Sequence, residues 1–100
     1  MAGQELEGRK IIVTGAGSGM GRAIAHLFAE HGARQTLFDV NAEALAALGI
    51  ENADTAVVDI ADREAVEAAT EVAAKAMQGI DGLVNAAGIL RVIPFAEMDF

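Results

Sequence analysis

Behind the apolar run Ile11-Ile12-Val13 comes a glycine-dense stretch, Thr14-Gly15-Ala16-Gly17-Ser18-Gly19-Met20-Gly21, and few folds have a use for that succession. A buried strand that ends in close-set glycines and opens a helix can hold phosphate. Glycine lets the backbone turn tightly and removes the Cβ atoms that would keep a pyrophosphate away. The helix that follows points unpaired N–H groups and the positive end of its dipole at the anion. The spacing is T-G-x-x-x-G-x-G through Gly15, Gly19 and Gly21, not the commoner G-x-G-x-x-G. Flexible turns also collect glycine, so the loop needs support: a strand before it, a helix after it, and an acid about 20 residues on. All three are present, the acid being Asp39.

Composition excludes several other uses. Apolar residues make up 53% of the 100, enough for a core and too many for a disordered chain. The size suits one small domain. The net charge of −8 opposes a nucleic-acid or anionic-membrane partner, since both need a positive footprint. No apolar run approaches the roughly 18 residues of a membrane span. Met1-Ala2-Gly3-Gln4-Glu5 has neither the basic start nor the apolar stretch of a secretory signal, which leads to a cytoplasmic expectation. Cysteine is absent, so disulfides and thiolate metal sites are excluded. His26 and His31, five apart on one helix, do not share a face well enough to ligate a metal, and His31 is expected to meet the helix dipole. No metal site is expected.

Periodicity predicts strands over 9–14, 35–39, 55–59 and 83–87, and helices over 20–31, from Asn41 to Gly49, and over 62–78. Ile24, Leu27 and Phe28 share one face of the first helix, and Gly32 ends it. Asn41 and Asp62 are placed to cap the second and third helices. Leu45 and Leu48 supply the second helix's apolar side; Val66, Ala69, Val72, Ala73 and Met77 supply the third's. The order β-α-β-α-β-α-β with short connections argues for an α/β fold, a doubly wound parallel sheet with helices on both faces. Residues 89–100 stay ambiguous, with Pro94 and a possible helix start at Phe95.

Four features in register resemble the short-chain dehydrogenase/reductase family. They are the glycine loop after the first strand, Asp39 ending the second, Asp59 ending the third, and Asn85-Ala86-Ala87-Gly88 ending the fourth. Each falls at the C-terminal end of a predicted strand, where open α/β sheets bind ligands. The resemblance implies a Rossmann-type domain binding NAD. Ser18, Gly19 and Met20 would line the pyrophosphate through backbone N–H groups, with the Ser18 hydroxyl as a further donor. Gly15 and Gly21 would serve the turn and the helix–strand contact, with Gly17 between them in the loop; Met20 equally suits a core position at the helix start.

By the same resemblance, Asp39 would accept from both ribose hydroxyls and repel a 2′-phosphate. Relatives that take NADP place Arg or Lys in the loop or just after this acid, where this chain has Ser18 and Val40. Asp59 and Ile60 would meet the adenine, although Asp59 also suits a strand-to-helix turn. Asn85 would tie the fourth strand to its neighbours, and Ala86, Ala87 and Gly88 would leave room for the nicotinamide ribose. The family often has a second Asn where Ala86 stands.

Family members transfer hydride with a Ser and a Y-x-x-x-K motif in their second half. This chain has no tyrosine, and Lys10 and Lys75 lie in no such motif. Residues 1–100 therefore resemble the cofactor half alone, expected to be inactive by itself, of an oxidoreductase acting on a secondary alcohol or ketone. The alternative is a non-catalytic NAD-binding or redox-sensing module, or an isolated nucleotide-binding half-domain. An uncovered, apolar fourth strand is further expected to pair with another chain and give a homo-oligomer.

Overall fold

The computed structural model describes residues 5–86 and the strand at 91–94. Its elements are β1 (Lys10–Thr14), α1 (Gly19–Glu30), β2 (Arg34–Asp39), α2 (Ala42–Ala46), β3 (Ala53–Val57), α3 (Arg63–Met77), β4 (Gly82–Asn85) and β5 (Arg91–Pro94). They form one sheet in the order β3-β2-β1-β4-β5. The first four strands run parallel, as the alternation of strands and helices requires.

Alternation along each strand sorts the side chains to two faces. Ile11, Val13, Leu37 and Val84 pack with Ala25 of α1 and Leu45 of α2. Ile12 and Phe38 pack on the other face with Ala73 and Met77 of α3, where Leu83 joins them. Phe38 and Ile12 are each 1% exposed, and burying side chains of this size contributes about 1.5–3 kcal/mol apiece.

Local signals set most boundaries. Asn41 Oδ1 accepts from Ala44 N–H at 3.0 Å and Asp62 Oδ1 from Ala65 N–H at 3.1 Å, so both expected caps form. After α1, Gly32 N–H bonds Ala29 O at 3.1 Å and Ala33 N–H bonds Phe28 O at 3.0 Å, a Schellman ending. His31 is the C-cap of α1, and its carbonyl accepts from Leu6 N–H at 2.9 Å, which holds the chain entering β1 against the helix end.

Four expectations need correction. The third strand is Ala53–Val57, so Asp59 lies two residues beyond its end. Its exposed, mixed sequence carries little apolar signal, and pairing with β2 places it. α2 stops at Ala46, although Leu48 is still buried. Val72 is 68% exposed: α3 meets the sheet through Ala73 and Met77, and its turn toward the sheet leaves Val72 outside the contact. The fourth strand, Gly82–Asn85, is not a bare edge, because β5 pairs with it antiparallel from Gly82 opposite Pro94 to Asn85 opposite Arg91. Ala87 and Gly88, and the helix start considered at Phe95, fall outside the described residues.

Candidate functional site

Register brings the ends of three strands together. Thr14 stands opposite Phe38 on one side and Asn85 on the other. The chain leaves β1 through Gly15, whose φ of +67° is closed to most residues with a Cβ, and enters α1 through Gly19 at φ +55°. Ala16 between them is fully buried, and its N–H bonds Phe38 O at 3.1 Å, pinning the loop to β2. Gly21 makes the closest approach. A Cβ there would sit 2.1 Å from Gly15 O and 2.7 Å from Gly15 C, so only a bare Cα lets the helix lie this near the strand end.

The start of α1 is open. Ser18 has extended N-cap geometry (φ −154°, ψ 161°), its side chain makes no cap hydrogen bond, and the first turn holds no acid. In an α-helix the first N–H groups have no carbonyl behind them. Here Arg22 N–H reaches Ser18 O at 3.3 Å, which leaves the amides of Gly19, Met20 and Gly21 ahead of the ladder. Among the described residues, and apart from its chain neighbours and its own helix backbone, no atom stands within 4 Å of a Cβ position built on Gly19, so the turn is open on that side. Met20, 58% exposed, is not the core residue that its apolar side chain suggests.

Beside this turn lies a cleft of about 250 Å³ lined by Gly15, Ser18, Asp39, Val40, Val58, Asp59, Ile60 and Ala86. Seven of the positions singled out in the sequence thus share one hollow with Val58, which that reading missed. Val58 is 5% exposed and continues the apolar side of β3 past its last residue. Asp39, last in β2, is half-buried, with Oδ2 accepting from Gly17 N–H at 2.8 Å and Oδ1 from Asn41 N–H at 2.9 Å.

Asp59 is exposed, and its Oδ1 accepts from Ala61 N–H at 2.9 Å: it forms the strand-to-helix turn as well as lining the cleft. Asn85 Oδ1 accepts from the Thr14 hydroxyl at 2.9 Å, so its side chain ties β4 to β1. Arg34 is held at the opposite end of β2, bonding Asp54 Oδ2 at 2.7 Å and Gln35 O at 2.9 Å. Among the described residues, no helix is long and apolar enough to cross a membrane.

Comparison with known proteins gives concordant matches. The family described as short chain dehydrogenase matches residues 9–100. D-threitol dehydrogenase of Mycolicibacterium smegmatis is 40% identical over 99 residues, covering 93% of this chain and 38% of that enzyme. A short-chain dehydrogenase/reductase of the glucose/ribitol dehydrogenase type from Brucella melitensis superposes with a TM-score of 0.78. It is 40% identical, over 97% of this chain and 43% of that one. The 3-ketoacyl-(acyl-carrier-protein) reductase of the same organism, solved with NADH, superposes with a TM-score of 0.76 at 34% identity, over 80% of this chain and 34% of that one. The chain thus spans well under half the length of the proteins it matches.

Proposed function

The chain belongs to the short-chain dehydrogenase family, and on that premise we propose that it supplies the NAD-binding half of an oxidoreductase acting on a secondary alcohol or ketone. One observation carries the cofactor choice: a half-buried carboxylate, Asp39, stands at a cleft whose described lining holds no Arg or Lys. The neighbouring positions hold Ser18 and Val40, and Arg34 is engaged with Asp54 at the far end of the strand. A 2′-phosphate placed against Asp39 would meet like charge, whereas ribose hydroxyls would donate to it. The NADH in the Brucella melitensis reductase accords with this reading.

The residues present fit a dinucleotide. Open N–H groups at Gly19, Met20 and Gly21, with the unengaged Ser18 hydroxyl, would hold the pyrophosphate at the start of α1. Asp39 would hold the adenosine ribose. Asp59 and Ile60 would border the adenine, and Ala86, Ala87 and Gly88 would make room for the second ribose, with Asn85 tying β4 to β1 just before them. When bound, the nicotinamide would supply the hydride acceptor or donor. With no tyrosine in the sequence, a proton relay of the family's type has no residue here to run on. The chain by itself binds nucleotide without turnover.

Titration of the purified chain with NADH and NADPH tests the proposal. NADH should bind more tightly by at least about tenfold, a difference of roughly 1.4 kcal/mol. Asp39→Asn should bring the two together. Equal affinities in the unaltered chain would overturn the NAD assignment, and NADH formation from secondary alcohols by these residues alone would overturn the half-site reading.

A further inference from the structure

Asp39 is a bracketed carboxylate. Gly17 N–H holds one oxygen at 2.8 Å and Asn41 N–H holds the other at 2.9 Å, so each oxygen keeps further acceptor capacity for the cleft. The two donors belong to different segments, the glycine loop and the turn into α2. Between them they hold both carboxylate oxygens.

The space around Gly17 is filled by the same partners. A Cβ on Gly17 would lie 2.8 Å from Ala44 Cβ, 2.9 Å from Asp39 Oδ2 and 3.0 Å from Asp39 Cγ. Ala44 is itself held, since its N–H donates to Asn41 Oδ1 at 3.0 Å. Loop, carboxylate and the start of α2 therefore form a closed circuit: Gly17 to Asp39, Asp39 to Asn41, Asn41 to Ala44, and Ala44 back against Gly17. Gly17 is not among the glycines of positive φ, so its backbone does not demand glycine. What demands it is the lack of room.

We infer that Gly17 is a positioning residue for nucleotide choice, holding Asp39 against the ribose jointly with the Asn41 N–H and the Ala44 wall. The inference rests on the NAD reading above and extends it from the carboxylate to the circuit that orients it. A carboxylate free to swing could turn away from a 2′-phosphate and would discriminate weakly. One pinned at both oxygens must accept the hydroxyls or repel the phosphate where it stands.

The test compares NADH and NADPH binding in the unaltered chain, in Gly17→Ala, and in Gly17→Ala combined with Ala44→Gly, with a thermal melt of each. Gly17→Ala should weaken NADH binding by about tenfold and NADPH binding little, collapsing the ratio by a similar factor. A purely structural defect would lower both affinities together and leave the ratio in place, which would overturn the inference. The double variant relieves the wall but not the contact with Asp39, so the ratio should stay collapsed. Recovery of the full ratio would show that crowding of α2, not displacement of Asp39, was responsible, and would also overturn it. Should either variant fold poorly, amide exchange in the unliganded chain decides: the Gly17 N–H should exchange faster in Asp39→Ala than in the unaltered chain, and an unchanged rate would refute the bracket. If the unaltered chain shows no preference for NADH, the proposed function itself fails. If it shows one that Asp39→Asn removes and Gly17→Ala preserves, only the present inference fails.

Discussion

Helices α1 and α3 begin at the same end of the sheet, each after a parallel strand, yet they treat their first amides in opposite ways. α3 closes its own start: Asp62 caps the Ala65 N–H, and Glu64 adds negative charge to the first turn. α1 leaves its start open, with Ser18 in cap geometry but its side chain making no cap hydrogen bond, and no acid in the turn. Capping typically stabilises a helix by about 1 kcal/mol. Omitting it where the neighbouring helices have it leaves an electropositive turn uncapped beside the cleft, at some cost in stability. A finished helix end is a structural part; an unfinished one can take an anion, as the proposed pyrophosphate would be taken here.

The contrast can be broken at its closest contact first. Gly21→Ala forces a Cβ into Gly15 O, so α1 must move off the strand end. We expect NADH binding to be lost and stability to fall by about 1–3 kcal/mol or more, as for overpacked cores, measured by titration and denaturant unfolding. Retained binding would mean that the approach of helix to strand is not what shapes the turn.

Making α1 resemble α3 is the next largest change. Ser18→Asp supplies a capping carboxylate, which should raise stability by about 0.5–1 kcal/mol and weaken NADH binding by roughly tenfold, because charge and hydrogen bond now compete with the ligand. A variant that gained stability without losing affinity would separate the open start from nucleotide binding. The converse, Asp62→Ala, should cost about 1 kcal/mol, a fall in melting temperature of about 4–8 °C for a chain of this size, and leave NADH affinity alone. Smallest of all, Arg63→Ala removes the exposed pair with Glu67 on the first turns of α3. It should change stability by less than about 0.5 kcal/mol and fade with added salt.

Much of this arrangement was legible beforehand. The caps at Asn41 and Asp62, the glycine stop after α1 and the buried apolar run Ile11-Ile12-Val13 are local signals, each spanning a few residues, and each formed as the sequence suggested. The misreadings share a cause. β3 was displaced by two residues because an exposed edge strand of Ala, Asp and Thr has no strong period, and only its pairing with β2 sets its limits. Val72 fits a helical stripe by spacing alone, but the face that α3 presents depends on where β2 and β3 lie beneath it. The pairing of β5 against β4 was not legible at all, since short apolar segments carry no record of their direction in a sheet.

The amino-acid order by itself determined the succession of strands and helices, the starts of α2 and α3, the open glycine turn and the family resemblance, because these rest on periodicity, capping and spacing within short windows. Only the tertiary structure decided which glycines are crowded, which acid is bracketed and which also serves a turn, and what covers the β4 edge. Those outcomes depend on contacts between residues distant in sequence, such as Gly17 with Asp39 across 22 positions and Thr14 with Asn85 across 71. Such contacts exist only once the sheet has brought the strand ends together, and no local preference encodes a distance of that kind.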